Sequence, residues 1–210
     1  MNSGSENLDS IQQDVLREIA NIGSGHAATA LSRMLGCPIE QSVPNVMVVP
    51  LSEMSTVLGG AEKVVVAGMI KLIGDFSGYL IMVLDFDQAK KIISMVCGDA
   101  ENIDSQLELY RFSALDKSVL AETANILGGS YMSAIAEFTG LKMSSSVPYL
   151  CIDMVGAVMS VAVAEAGKTG DFAFLFQSEL FNESERIIGN LLLIPEEKSC
   201  DIILKTLGFI

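Results

Sequence analysis

Residues 14–25 read DVLREIANIGSG, and this stretch sets the pattern for the whole chain. In a helix of about 3.6 residues per turn, Asp14, Glu18 and Asn21 fall one above another on a single face. The apolar side chains of the same stretch line a second face, which predicts an amphipathic helix packed on a core. A polar face with two acids and an amide is also what an ordinary solvated helix surface shows.

Residues 118–129 repeat this pattern about a hundred positions later and read SVLAETANILGG. Glu122 and Asn125 keep the spacing of the first glutamate and asparagine. Ser118 stands where the first copy has an aspartate. A duplicated fold preserves its apolar core, but it has no evident structural need for an outward-facing Glu and Asn in both copies. The repeated pair therefore predicts a surface site that is present twice.

A proline follows each asparagine at the same distance. Twenty-two residues separate Asn21 from Pro44, and twenty-two separate Asn125 from Pro148. Proline cannot donate to a strand ladder, so it is confined to strand edges and bulges. Both prolines are therefore predicted to be structural and to fix a strand edge beside each helix.

The order of predicted elements is the same in both halves of the chain: a long helix, strands and a short helix. The long helices are predicted to begin at Ser10 and Ser113 and to end at Gly36 and Gly140. Short connections between the strands favour antiparallel pairing. We therefore predict an α/β (α+β) fold with a pseudo-two-fold axis. Its duplicated halves share one mainly antiparallel sheet, and the two long helices carry the sites.

Neither half alone would bury much apolar surface, so the chain is predicted to form a single domain. Its two repeats span about 10–98 and 113–208, and the polar, acidic residues 99–109 are predicted to connect them. The segment 154–164 is small and apolar throughout. Its periodicity leaves both a helix and a strand open.

The composition of the 210-residue chain excludes several classes of protein. A net charge of −13 argues against nucleic-acid binding, which needs clustered Lys and Arg to neutralise phosphates. The apolar runs are far shorter than the roughly 20 residues of a transmembrane helix. The first residues show neither the basic region nor the apolar core of a signal peptide. We therefore expect a cytoplasmic protein without membrane insertion.

The four cysteines and the single histidine, His26, show no pattern of metal ligands. The cysteines stand far apart without a Cys-x-x-Cys pair, so no zinc site is predicted. They are expected to be reduced thiols, as is usual inside cells. His26 is interpreted as an exposed helix position rather than a catalytic base.

The pattern Asp/Ser-x3-Glu-x2-Asn-x22-Pro occurs twice, and it resembles the CheC/CheX/FliY family of chemotaxis phosphatases over nearly the whole chain. Two copies favour a CheC-like arrangement, because CheX normally carries one. The resemblance implies a hydrolase of two-component signalling that removes the aspartyl phosphate of the response regulator CheY. Glu18 and Glu122 would pair with a lysine of the regulator, while Asn21 and Asn125 would orient the attacking water.

The same resemblance implies the remaining roles. Asp14 and Ser118 would be auxiliary groups, and the chain would need no cofactor of its own because the phosphorylated regulator would supply Mg²⁺. CheC proteins also bind CheD, a receptor-modifying deamidase, and the segment beginning at Asp153 aligns with the region used for that contact. A monomer or a heterodimer with CheD is the expected state. The alternative is a non-catalytic interaction module like the FliM middle domain, which shares the fold and lacks the Glu/Asn sites.

Glycines follow both asparagines, at Gly23 and Gly25 in the first copy and at Gly128 and Gly129 in the second. Each glycine costs about 1 kcal/mol in a helix interior. One glycine of each copy falls four residues after the asparagine, on the same face, where a small residue permits a partner to approach closely. Close helix packing within the fold, or a local kink, is the alternative.

Overall fold

The computed structural model describes residues 10–97, 112–165, 172–183, 185–196, 199, 201–202 and 205. Its helices are α1 (Ser10–Leu35), α2 (Met54–Val57), α3 (Phe86–Cys97), α4 (Ala114–Thr139) and α5 (Val155–Glu165). Its strands are β1 (Glu40–Gln41), β2 (Asn45–Pro50), β3 (Val64–Gly74), β4 (Gly78–Asp85), β5 (Met143–Ser145), β6 (Tyr149–Met154), β7 (Phe172–Phe181) and β8 (Arg186–Pro195). None of the helices in this described part has the length and apolar character needed to cross a membrane.

Local sequence signals set the ends of the long helices. The Ser113 Oγ accepts a hydrogen bond from the Asp116 N–H at 3.1 Å, and the Ser113 N–H donates to the Asp116 carboxylate at 2.8 Å. This reciprocal capping box begins α4. Gly140 ends α4 with φ +71°, and Gly36 follows α1 with φ +68°. Glycine adopts this left-handed conformation without steric cost, so both helices end where the sequence predicts.

The two halves of the chain interlock in one eight-stranded antiparallel sheet. The sheet order is β1–β7–β8–β4–β3–β5, with β2 also paired to β7 and β6 also paired to β3. The edge strands of the first half thus pair with β7 of the second half, and those of the second half pair with β3 of the first. The strands β1, β7 and β8 on one side of the sheet correspond to β5, β3 and β4 on the other, so the order is the same when it is read from either edge. The predicted pseudo-two-fold fold is therefore confirmed, and each half completes the sheet edge of the other.

Pro44 and Pro148 occupy equivalent breaks in the two edges of the sheet. Pro44 lies between β1 and β2, and Pro148 lies between β5 and β6. The chain just before each break stays attached to the sheet. The Ser42 N–H donates to a carbonyl of β7, and the Ser146 N–H donates to a carbonyl of β3, each at 2.9 Å. Both prolines therefore interrupt an edge strand that is held in register on either side.

Helices cover both faces of the sheet and enclose two apolar clusters. On one face α1, α3 and α4 bury Leu16, Leu120 and Tyr131 against the strands. On the opposite face α2 and α5 bury Met54 and Val158. Successive side chains of a strand point to opposite faces, so the same buried strands contribute to both clusters. The outward sides of α1 and α4 remain on the surface of this three-layered arrangement.

The segment that the sequence left open is divided between a strand and a helix. Strand β6 continues to Met154 and therefore contains Asp153, while α5 occupies Val155–Glu165. The buried positions of α5 have helical spacing: Val155, Val158, Met159 and Ala162. Periodicity was hidden in the sequence because exposed positions such as Val161 are apolar as well.

The boundaries between the repeats stay a prediction. The acidic connector 99–109 lies outside the described residues, as do positions 98 and 208 that were predicted to end the two repeats. The described parts of both repeats contribute strands to the same sheet. The two halves are therefore joined by strand pairing as well as by the chain between them.

Candidate functional site

Glu18 and Asn21 lie one turn apart on the outer side of α1. Glu18 is exposed and forms no hydrogen bond or ion pair with another described residue. Asn21 is half-buried, and its side-chain amide also has no hydrogen-bond partner among the described residues. An asparagine amide offers two N–H donors and a carbonyl acceptor. The first pair therefore presents a carboxylate and an uncommitted amide side by side.

Asp14, one turn before this pair, forms an ion pair within its own helix. The Arg17 Nη1 lies 3.1 Å from the Asp14 Oδ1, and the two side chains are 52% and 72% exposed. An exposed ion pair at this spacing contributes about 0.2–0.5 kcal/mol to the helix. Opposite charges three residues apart on a helix are the sequence signal for this ion pair, which was not predicted. The Asp14 carboxylate thus carries a guanidinium of its own chain beside it.

Glu122 and Asn125 form the equivalent pair on α4. Both side chains are exposed. The Asn125 Nδ2 lies 3.5 Å from the Glu122 Oε2, at the long limit for a hydrogen bond. A contact this long is weak, so little free energy is lost when a ligand replaces it. The second pair therefore also leaves its amide accessible, although it is more exposed than the first.

Ser118 makes the second copy differ from the first. Its Oγ donates to the Ala114 backbone carbonyl at 2.9 Å, which engages the hydroxyl within the helix. Ala121 stands where the first copy has Arg17, so the second copy has no counterpart of the ion pair to Asp14. The two pairs therefore share the Glu and Asn but differ in the charges one turn earlier.

The two pairs form separate sites. Among the described residues, no hydrogen bond or ion pair joins the pair on α1 to the pair on α4. The two helices contact each other through another face, where Gly23 packs on the ring of Tyr131. The two pairs are therefore not linked to each other by polar contacts within the described part of the chain.

Each site-bearing helix has a proline-containing sheet edge packed beside it. A cleft of about 220 Å³ is lined by Pro44 together with Leu16 and Arg17 of α1. In the second copy, the strands that flank Pro148 both contact α4. Pro44 is buried and Pro148 is half-buried, and neither has an N–H to offer. They shape the surface beside the two helices.

Two of the four glycines serve packing inside the fold. A Cβ atom on Gly23 would come within 2.9 Å of the Tyr131 Cγ, and a Cβ atom on Gly128 would overlap the Ile70 side chain. Both neighbours belong to the buried core. For these two positions, close packing within the fold is the correct alternative.

The other two glycines have no neighbour that an added Cβ atom would overlap. A Cβ atom on Gly25 would be in ordinary contact with the Gln41 Nε2 at 3.5 Å, and one on Gly129 would meet nothing within 4 Å. Each lies four residues after an asparagine, on the same helix face. At these positions glycine leaves the surface next to Asn21 and Asn125 without a protruding side chain.

Replacing Gly23 by alanine is expected to lower the free energy of unfolding by about 1–3 kcal/mol, because the new Cβ overlaps the buried ring of Tyr131. Gly25→Ala is the matched control on the same helix. It is expected to change stability little, or to raise it by up to about 1 kcal/mol, because alanine is the better helix former. Chemical denaturation followed by circular dichroism measures both variants. Equal stability of the two would contradict this account of the packing.

Asp153 lies apart from both pairs, on the other side of the sheet. It lines a groove of about 550 Å³ between β3, β6 and α5, together with Tyr149 and Val161. Asp153 is exposed, and its Oδ1 accepts the Met154 N–H at 2.7 Å. The groove opens on the face that α2 and α5 cover, opposite α1 and α4.

The Cys151 thiol lies in the same groove. Burial raises the pKa of the Cys151 thiol, and the nearby Asp153 carboxylate raises it further. A thiol with a raised pKa is protonated at neutral pH, and the thiolate is the reactive form. Cys151 therefore stands in the groove as a protonated thiol, partly buried against its neighbours.

The other polar groups considered in the sequence do not join the sites. His26 is exposed on α1, and Cys37, Cys97 and Cys151 are free thiols. Within the described part of the chain, no group of three or more His, Cys, Asp and Glu side chains is arranged to hold a metal ion. The groups that the two sites offer a ligand are thus carboxylates and amides.

Known proteins share this arrangement. The profile of the CheC-like family matches residues 11–48 and 115–151, which contain both Glu–Asn pairs and both prolines. The chain is 32% identical over 199 residues to the CheY-P phosphatase CheC of Bacillus subtilis (strain 168), and the alignment covers 94% of each protein. The chain belongs to the CheC-like family.

Other proteins share the fold of this CheC-like chain. It is 28% identical over 144 residues to the flagellar motor switch phosphatase FliY of Bacillus subtilis (strain 168), covering 68% of this chain and 36% of FliY. The crystal structure of Thermotoga maritima FliY gives a TM-score of 0.72 at 19% identity, covering 95% of this chain and 98% of that one. The crystal structure of the FliM middle domain from H. pylori gives a TM-score of 0.66 at 10% identity, covering 95% of this chain and 99% of that one. These similarities confirm the predicted fold of helices on an antiparallel sheet.

Proposed function

We propose that this CheC-like chain is a phosphatase that hydrolyses the aspartyl phosphate of CheY at two sites. The observation that carries the proposal is the Glu–Asn pair with an exposed glutamate, which stands once on α1 and again on α4. The Bacillus subtilis relative with 32% identity is itself a CheY-P phosphatase. That relationship supports the same substrate here.

Glu18 and Glu122 are the docking acids in this proposal. Both carboxylates are exposed, and neither has a cation of its own chain beside it in the described part of the protein. Each pairs with a lysine of the docked regulator through a charge-assisted hydrogen bond. That contact brings the asparagine one turn further along the helix to the phosphorylated aspartate.

Asn21 and Asn125 orient the attacking water. Water attacks the phosphorus, the bond between phosphorus and the aspartyl oxygen breaks, and inorganic phosphate and a free carboxylate are released. Phosphoryl transfer leaves little covalent work to the protein, so positioning and charge balance dominate. An amide holds the water without adding negative charge, whereas a carboxylate at the same place would repel the phosphoryl oxygens.

Mg²⁺ belongs to the regulator in this proposal, where it balances the charge of the phosphoryl oxygens. The chain then needs no cofactor of its own, and its carboxylates are free to dock. Asp14 and Ser118 are auxiliary because each already has a partner within its helix. Their difference changes the charge near each site without changing the Glu–Asn pair.

The experiment that tests the proposal is the decay of phosphorylated CheY in Mg²⁺-containing buffer, with and without a catalytic amount of the intact protein. Phosphate release should be accelerated, and each protein should turn over many equivalents of CheY. A FliM-like interaction module would bind phosphorylated CheY and leave its decay rate unchanged. Binding without acceleration would therefore favour that alternative.

We also propose that the groove beside Asp153 binds CheD. Apolar side chains are exposed there, with Tyr149 at 67% and Val161 at 50%, and the Asp153 carboxylate lies at their edge. Exposed apolar patches rimmed by polar groups mark protein interfaces. The groove and the two Glu–Asn pairs lie on opposite sides of the sheet, so a heterodimer with CheD leaves both phosphatase sites open.

Asp153→Lys is expected to weaken CheD binding at least about tenfold, because it reverses a charge at the edge of the groove. Isothermal titration calorimetry with purified CheD measures the change. Glu137→Lys, which makes the same charge change at an exposed position of α4, is the matched control and should bind CheD like the parent. Equal affinity of the two variants would place CheD elsewhere.

A further inference from the structure

Leu115 is an exposed apolar side chain in the first turn of α4. It is 62% exposed, whereas most of the other exposed positions of this helix carry polar or small side chains. Single exposed apolar residues are ordinary on protein surfaces. The position of Leu115 distinguishes it from them, because it stands seven residues before Glu122 on the helix that carries the second site.

Helix geometry places Leu115 on the same face as the second site. Residues three, four and seven apart in a helix lie one above another, and Leu115, Ser118 and Glu122 follow each other at this spacing. All three are exposed. Seven residues of helix rise about 10.5 Å. Leu115 therefore lies two turns before the docking glutamate and in line with it.

The first repeat has an aliphatic residue at the equivalent position. Ile11 stands seven residues before Glu18, as Leu115 stands seven residues before Glu122. Each of these aliphatic residues is the second residue of its helix. Packing within the fold does not account for Leu115, because most of its surface is in solvent. The repeated aliphatic residue thus accompanies the repeated Glu–Asn pair.

The helix turn around Leu115 can be covered by a partner without stranding a polar group. The Ser118 Oγ already donates to the Ala114 carbonyl at 2.9 Å, and a polar group that keeps its hydrogen bond avoids the penalty of unpaired burial. The capping box between Ser113 and Asp116 fixes the backbone of this turn. Binding there therefore restricts side-chain rotamers but not the backbone.

The proposed contacts of the regulator point along α4 toward Leu115. Its phosphoryl group reaches Asn125, and its lysine reaches Glu122, one turn nearer to Leu115. A stable interface buries about 800 Å² on each partner, a patch about 30 Å across. Leu115 lies about 13 Å along the helix from the middle of the Glu122–Asn125 pair. A regulator docked on this pair therefore extends over Leu115.

We propose that Leu115 is a docking residue of the second site and packs against an apolar patch on the phosphorylated response regulator. This inference rests on the proposed phosphatase function. The occupant follows from position, because Leu115 shares one helix face with the Glu–Asn pair that the regulator contacts. An exposed ion pair alone is weak and screened by salt. The apolar contact supplies affinity that Glu122 lacks.

The test uses a background protein with Glu18→Lys and Asn21→Ala, in which only the second site acts. In this background, Leu115→Ser should raise the concentration of phosphorylated CheY at half-maximal rate at least about tenfold, the expected effect of losing the burial of a leucine side chain. The value of kcat should stay unchanged, because Leu115 does not touch the reacting atoms. Leu115→Met keeps an apolar side chain of similar size and should keep the KM of the background protein.

Two controls separate docking from folding. Val57→Ser in the same background removes another exposed apolar side chain, which is 44% exposed on α2, on the opposite face of the sheet. It should keep the KM of the background protein. Thermal unfolding of Leu115→Ser should also follow that of the background protein, because Leu115 is largely in solvent. A fall in kcat at unchanged KM would contradict a docking role for Leu115.

Binding to CheY that carries beryllofluoride, a stable mimic of the phosphoryl group, separates the two proposals. Weaker binding by Leu115→Ser supports the docking role, whether or not hydrolysis is observed. If the background protein accelerates phosphate release and Leu115→Ser equals it in KM and affinity, the leucine inference is overturned and the phosphatase function stands. If the background protein neither binds nor hydrolyses, no regulator docks on α4 and the inference is overturned. The rate of the intact protein then decides the phosphatase function.

Discussion

Under the proposed mechanism, replacing both Asn21 and Asn125 by alanine is expected to lower the CheY phosphatase rate at least about 100-fold, because no amide would remain to place the attacking water. Each single variant should keep the part of the phosphatase rate that the other site contributes. The two pairs lie on separate helices, and no hydrogen bond joins them among the described residues. Phosphate release at saturating phosphorylated CheY measures all three variants. The ratio of the single-variant rates reports how unequal the two sites are.

Two controls separate amide chemistry from shape and fold. Asn21→Asp/Asn125→Asp keeps the size of the side chains but adds negative charge, so it should be as inactive as the double alanine variant. His26→Ala changes another exposed residue of α1 and should keep the full rate. A double alanine variant that folds like the parent and matches its rate would show that the asparagines do not orient the water.

Replacing Tyr131 by alanine is expected to lower the free energy of unfolding by about 3–5 kcal/mol. The Tyr131 ring packs against Gly23 of α1 and lies 5.1 Å from the Phe176 ring of β7, centroid to centroid. Its hydroxyl is 2.9 Å from the Ser178 Oγ. One side chain of α4 thus joins both site-bearing helices to the sheet. Denaturation by urea measures the loss.

Tyr149→Ala is the matched control for this prediction. Tyr149 is 67% exposed, so its removal should change the free energy of unfolding by no more than about 0.5 kcal/mol. Similar losses for the two tyrosines would contradict the anchoring role of Tyr131. The phosphatase rate of folded Tyr131→Ala should also fall, because the helix contact that positions Asn21 is loosened.

Tyr131→Phe isolates the contribution of the hydroxyl. Burial raises the pKa of Tyr131 above 10.0, although its hydrogen bond to Ser178 lowers it in part. The unfolded chain therefore ionises this phenol at lower pH than the folded protein does. The stabilisation is complete below pH 10 and is lost as the pH rises toward the folded-state pKa. Tyr131→Phe should cost about 1 kcal/mol at neutral pH and lose stability less steeply above pH 10.

Much of the fold and both candidate sites could be predicted from local sequence. The helix ends at Gly36 and Gly140 follow from backbone conformations that glycine alone adopts freely. The repeated Glu–Asn spacing fixes which side chains share a helix face, because helix geometry is the same in any fold. The equal spacing from each asparagine to Pro44 and Pro148 is also visible in the sequence, and the duplicated motif as a whole resembles that of the family.

Tertiary structure alone decided how the halves meet. The edge strands β1 and β2 pair with β7, more than a hundred residues away, because pairing depends on which strand edges remain open in space. The same holds for the glycines. Gly23 and Gly128 press on packed core side chains, whereas Gly25 has only an ordinary contact with Gln41 and Gly129 faces open space, although all four read alike in sequence. Helix periodicity determines the direction in which each residue of a helix faces. Only the packing of the folded chain determines which neighbour it meets there.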